Sequence, residues 1–128
     1  ARAAPFPRIL ASDRDEGAVA AARANAERAG VAERIEFSRR ALSDAAAPPG
    51  PGWLVTNPPY GVRVSEGKDL RGLFARLGDV ARGLGADWTV TMLSASPALA
   101  RATGLDFDAG LPTLNGGLKV RLVSSRPR

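Results

Sequence analysis

The 128-residue sequence contains no cysteine and no histidine. Without cysteine there is neither a disulfide nor a thiolate nucleophile, so covalent attack on a pyrimidine ring through sulfur is excluded. Without histidine, the usual general base and the commonest metal ligand are both missing. Chemistry on this chain has to run on carboxylates, amides, backbone groups and a bound cofactor. No residue spacing suggests a metal site or a phosphate-binding loop. No stretch approaches the roughly 20 apolar residues that cross a bilayer. The opening Ala1-Arg2-Ala3-Ala4-Pro5-Phe6-Pro7 lacks the apolar core of a secretory signal. The expected setting is cytoplasmic, with no membrane and no metal.

What is present suits a packed core: 45% of the residues are hydrophobic, and the length has room for one domain, taken here as residues 1–128. Eighteen basic against thirteen acidic residues give a net charge of +5. That surplus permits phosphate contacts with nucleic acid. An arginine-rich composition explains it equally well, since only Arg39 and Arg40 are adjacent.

Pro7 to Ser12 reads as a short buried strand running into Asp13. Asp15 then caps a helix with Ala18, Ala22, Ala26 and Ala29 at helical spacing, and Gly30 stops it. Arg34 to Ser38 alternates like a strand, and Ala45 to Gly52 is a loop. Trp53 to Thr56 is a third strand, halted by Asn57-Pro58-Pro59. Asp69 can cap a helix whose stripe is Leu70, Leu73, Phe74, Leu77, Val80, Ala81 and Leu84, with Gly85 at its end. Trp88 to Leu93 is a fourth strand, and Ser96-Pro97 opens a short helix to about Thr103. Leu105 to Phe107 and Leu118 to Val123 complete the strands, the last entered through the Asn115-Gly116-Gly117 turn. Strands alternating with helices indicate an α/β fold, a mainly parallel Rossmann-like sheet with a final antiparallel strand.

Ligands of open parallel sheets sit beyond the carboxyl ends of the strands. Asp13 stands at one such end, where a carboxylate can accept both hydroxyls of a ribose; the plain alternative is a turn residue, with Asp15 a helix cap. Asn57-Pro58-Pro59-Tyr60 stands at another. Two prolines fix φ near −65° and remove two backbone donors, so nearby carbonyls turn outward instead of joining a ladder. An exocyclic base amine offers two N–H donors, which the Asn57 side-chain oxygen and the Pro58 carbonyl can accept. Such acceptors favour the positive charge that grows on nitrogen as a methyl group arrives. Tyr60 can stack on a flipped or single-stranded base. The alternative is an ordinary Asn-Pro turn, but an Asn-Pro-Pro-aromatic match arises by chance roughly once in a thousand chains of this length.

Ile9 to Asp15 with Ala22 to Ala26, then Leu54 to Gly61, then Leu114 to Leu118, together resemble one family across nearly the whole chain. They are similar to the THUMP-associated methyltransferases, especially the bacterial large-subunit rRNA guanine-N2 methyltransferases once classed as adenine-specific DNA methylases. The resemblance implies S-adenosylmethionine as cofactor and an exocyclic base amine, guanine N2 of ribosomal RNA, as target. By position, Asp13 would hold the cofactor ribose and Arg14 would flank its adenine. Asn57, Pro58, Pro59 and Tyr60 would hold the target base, and Gly61 and Arg63 would continue the loop toward substrate.

Two features depart from the family pattern. Its glycine-rich first motif, which follows the first strand, is absent, and the sequence begins just before the second strand. The expectation is therefore a partial catalytic domain lacking the first strand, inactive and weak in cofactor binding on its own. Relatives often carry an acidic residue about four positions after Phe37, near the adenine; here that place is Ala41, and either Asp44 three residues on substitutes for it or backbone and apolar contacts alone hold the adenine. Arg39, Arg40, Arg63 and Lys68 could contact phosphates or simply be solvated. Two rival readings stay open: adenine-N6 methylation, which the same loop would serve, and a non-catalytic RNA-binding module that keeps the fold.

Overall fold

Asp15 and Gly30 frame the first helix as local chemistry dictates. The computed structural model describes residues 7–45, 47–59 and 64–125, with side chains of the second helix described from Leu70 onward. The Asp15 carboxylate accepts the Ala18 amide at 3.0 Å, starting α1 (Glu16–Ala29). Gly30 closes it at φ 76, a left-handed conformation that suits glycine. Losing the cap leaves an orphan amide. Asp15→Ala should therefore cost about 1 kcal/mol in a denaturant titration of the full-length protein.

The chain divides into two compact units, Ala1–Ala47 and Pro48–Arg128, each described in its own frame. In the first, β1 (Ile9–Asp13) pairs in parallel with β2 (Ile35–Arg39), in register from Ile9 opposite Ile35 to Asp13 opposite Arg39. Ala26 is the buried residue of α1, and the Arg23 guanidinium lies 5.3 Å from the Phe37 ring centre, tying helix to sheet. The expected burial of the first strand is corrected: Ile9 and Leu10 are 42% and 43% exposed. Among the described residues of this unit, the sheet has two strands and α1 as its one α-helix, too little to bury both faces.

Arg8 meets Glu36 through a forked pair at 2.7 and 3.1 Å. The hydrogen bond from Arg8 holds the Glu36 carboxyl below its ordinary value, against a smaller opposing push from desolvation. A lowered folded pKa adds stability above the unfolded value, and that gain is lost as pH falls through the folded one. Both side chains are more than half exposed, so the contribution is small.

The second unit holds a four-stranded sheet ordered β3-β4-β6-β5. β3 (Gly52–Thr56) runs parallel to β4 (Trp88–Ser94), while β6 (Leu118–Ser124) is antiparallel to both β4 and β5 (Leu111–Asn115). Between β3 and β4 lies α2 (Val64–Leu84), and after β4 comes α3 (Pro97–Ala102). The expected stripe of α2 is the core: Leu70, Phe74, Leu77 and Ala81 are buried, together with Val90 and Met92 of β4 and Val120 and Val123 of β6. Burying each large side chain contributes about 1.5–3 kcal/mol. Ser96 caps α3 by accepting the Leu99 amide at 3.2 Å, with Pro97 in the first turn, as its sequence implies.

Three expectations change here. Asp69 is not a cap, because α2 begins at Val64; Ser65, Glu66 and Lys68 are polar but compatible with a helix interior. Leu105 to Phe107 is not a strand, and Phe107 makes only an isolated bridge with Ser125. The hairpin partner of β6 is β5, which contains Pro112. Proline is tolerated there because β5 is the sheet edge, where a missing N–H breaks no ladder.

Trp88 is half-buried, and Gly50 and Gly52 press against its indole; a Cβ at Gly52 would lie 2.6 Å from the ring. The start of β3 is thus seated on an aromatic plate that no side chain could share. Trp53 and Val55, on the strand above, are 71% and 70% exposed.

Candidate functional site

The carboxyl end of β1 carries Asp13, whose Oδ1 accepts the Asp15 amide at 2.8 Å. This short bond turns the chain from strand to helix, so the turn reading of Asp13 is correct. It also fixes the carboxylate in place while leaving it exposed at the strand end. The Asp13 carbonyl accepts the Arg40 amide at 2.9 Å, and Arg39 Nε donates to the Arg14 carbonyl at 3.1 Å. Arg39 is therefore a brace for the turn that presents Asp13 and Arg14. Asp44 ends a single 3-10 turn, Leu42–Asp44, that follows β2 at the same end of the parallel pair. Its amide donates to the Ala41 carbonyl at 3.0 Å. Asp13 and Arg14 thus stand on a braced turn at the carboxyl end of β1, and Asp44 stands on a separate turn after β2 at the same end of the pair.

In the second unit the sequence stops β3 where the chemistry requires. Thr56 pairs with Met92, which is fully buried, and the next residues are Asn57, Pro58 and Pro59. Two consecutive residues without N–H cannot continue a ladder, so the chain leaves the sheet. Pro58 is buried and Asn57 and Pro59 are exposed, so a buried ring anchors the loop while Asn57 stands at the surface. Tyr60, Gly61 and Arg63, expected to continue this site, lie outside the described residues. Among the described residues no cluster of acids could hold a metal ion, and no helix is long and apolar enough to cross a membrane.

This geometry has counterparts among known proteins. The family model described as an RMKL-like methyltransferase domain matches residues 1–123. The ribosomal RNA large subunit methyltransferase K/L of Syntrophotalea carbinolica is 38% identical over 123 residues, which cover 93% of this chain and 17% of that protein. A crystal structure of a possible methylase from Clostridium difficile 630 superposes with a TM-score of 0.87 at 30% identity, over 94% of this chain and 32% of that one. The crystal structure of SMU.472 complexed with SAH superposes with a TM-score of 0.85 at 28% identity, over the same shares. These superpositions bear out the Rossmann-like α/β methyltransferase fold, closed by an antiparallel strand. The chain spans 17% of the length of the first of these relatives and about a third of the solved chains. By the match over residues 1–123, the chain belongs to the RMKL-like methyltransferase domain family.

Proposed function

We propose that this chain serves the transfer of a methyl group from S-adenosylmethionine to the exocyclic amine of a base in ribosomal RNA, with guanine N2 as the target. The observation that carries this reading is the strand end at Thr56, where Asn57 is presented outward on a loop pinned by the buried Pro58. Relatives named as ribosomal RNA methyltransferases and a fold neighbour crystallised with SAH support it. The two compact units are then parts of one catalytic domain.

The residues of the first unit suit a nucleoside. The exposed Asp13 carboxylate, already held by the Asp15 amide, has acceptor capacity left for ribose hydroxyls. Arg14 flanks the adenine, and Asp44 accepts from its amine. When bound, S-adenosylmethionine supplies a methyl carbon activated by positive sulfur. The Asn57 side-chain oxygen and the Pro58 carbonyl accept hydrogen bonds from the two N–H groups of the base amine, aligning the nitrogen lone pair for attack and stabilising the charge that develops on it. Tyr60 stacks on the base, and Gly61 and Arg63 extend the contact. No covalent enzyme intermediate is needed, which agrees with a chain lacking cysteine and histidine.

The test uses full-length protein with isotopically labelled S-adenosylmethionine and ribosomal RNA, followed by nucleoside mass spectrometry. N2-methylguanosine is the expected product. N6-methyladenosine would move the target to adenine. RNA binding without any methylated nucleoside would favour the non-catalytic module.

A further inference from the structure

Beyond the loop at Asn57, the second unit has a groove of about 750 Å³ between α3 and the β5–β6 hairpin. We propose that this groove binds a single-stranded segment of the RNA substrate, with phosphates on Arg101, Lys119 and Arg121 and a base on its apolar floor. The inference rests on the RNA-methylation reading and names a surface that reading does not use.

Strand register places the cations. Ser94, Arg121 and Pro112 stand opposite one another across β4, β6 and β5, so their side chains share one sheet face. Lys119 and Leu114 form the next row on that face. Pro97, Ala100 and Arg101 stand at helical spacing on α3 and line the opposite wall. Arg121 is steadied by donating to the Ala109 carbonyl at 2.9 Å. Arg101 and Lys119 are exposed and make no hydrogen bond or ion pair among the described residues. One acid lines the groove, Asp108, and its Oδ1 already accepts the Ser124 amide at 3.1 Å. Three cations therefore face one engaged carboxylate.

The floor is built from Val123, buried on the same strand face as Arg121, and from Leu105 and Phe107, half-buried. Leu114 on the rim is 67% exposed. Apolar and aromatic surface beneath a cationic rim is the arrangement that holds unstacked bases while neutralising the backbone. A duplex keeps its base faces stacked and would offer this floor only backbone and base edges. The volume lies within the range of about 300–1,000 Å³ typical of small-ligand pockets, room for an unstacked base.

Position gives the groove its relation to the loop. Ser94, the last residue of β4, pairs with Arg121, so Leu118 to Val120 extend past the end of β4. β3 ends on the same side, Thr56 opposite Met92, and Asn57 leaves from there. Groove and loop thus lie toward the same end of the strands, on opposite sides of β4. The cations belong to no motif; only the alternation Leu118-Lys119-Val120-Arg121-Leu122 marks two of them as sharing a strand face.

The probe is a fluorescein-labelled single-stranded RNA oligonucleotide titrated into full-length protein, read by anisotropy without cofactor. Arg101→Gln combined with Lys119→Gln should weaken binding about tenfold and reduce the salt slope by about 1.4, the share of two phosphate contacts. The melting temperature should not move, because both side chains are exposed. Leu114→Asp, which removes no cation, should weaken binding as well. Unchanged affinity and slope in these variants would overturn the proposal. So would protection of the groove by another segment of the protein with RNA affinity intact. Binding is read without turnover, so failure of methylation leaves this test standing, and loss of the groove leaves the nucleoside test standing.

Discussion

Replacing Asn57 with alanine should lower kcat for methyl transfer by about 10²–10³-fold, with cofactor affinity close to that of the parent protein. The magnitude is that of losing one preorganised group aimed at charge that develops in the transition state, here an acceptor facing a nitrogen that becomes positive. The cofactor candidates Asp13, Arg14 and Asp44 belong to a different unit, which is why the two readouts should separate. Asn57 is exposed, so truncating it leaves no cavity, while the buried Pro58 still anchors the loop. Single-turnover assays on ribosomal RNA with saturating cofactor measure the step, and calorimetry measures the cofactor. Activity within about tenfold of the parent would remove Asn57 from the role assigned to it.

The second large effect concerns stability. Gly78 of α2 lies against Thr103 at the end of α3, where a Cβ would stand 1.8 Å from the Thr103 carbonyl oxygen and 2.7 Å from its carbon. The Thr103 backbone cannot easily withdraw. Its side chain is 1% exposed and donates to the Ala100 carbonyl at 2.7 Å, and its carbonyl accepts from Arg82 at 3.1 Å. Gly78→Ala should force the two helices apart and cost about 2 kcal/mol, overpacking outweighing the roughly 0.5–1 kcal/mol that alanine gains inside a helix. Gly83 of the same helix is the control, since no atom lies within 4 Å of its Cβ position. Gly83→Ala should stabilise by about 0.5–1 kcal/mol. Denaturant midpoints of full-length protein decide the matter; equal shifts for the two alanines would refute the close approach.

Most local chemistry was readable in the sequence, the Asp69 cap excepted, and distant pairing was not. The caps at Asp15, Gly30 and Ser96 and the stripe of α2 depend on neighbours within a turn or two, and each stands where its residues imply. β5 was hidden because Pro112 argues against a strand unless the strand lies at an edge, and edge position is set by partners far along the chain. Leu105 to Phe107 alternates convincingly, yet the left-handed Gly104 before it and the Asp108 bond to Ser124 after it turn the segment into a loop. Exposure of Ile9 and Leu10 depends on what covers a sheet face, which residue type alone does not tell. The placement of the candidate site was legible for a plain reason: two prolines after Thr56 must end a strand, and Asp13 must begin a turn. That one carboxylate can both make the turn and remain exposed beyond it became visible only from the 2.8 Å bond to Asp15.

The two tryptophans, one nearly bare on β3 and one pressed beneath two glycines at the start of β4, turn the second unit into its own optical gauge. A collisional quencher in solution reaches the first indole and is screened from the second. Emission that survives the quencher therefore reports on the seat of the strand that presents Asn57, and the quenched share reports on whatever comes to lie over Trp53. Events at the root of the loop and events on the open sheet face can be followed in a single cuvette, without a label.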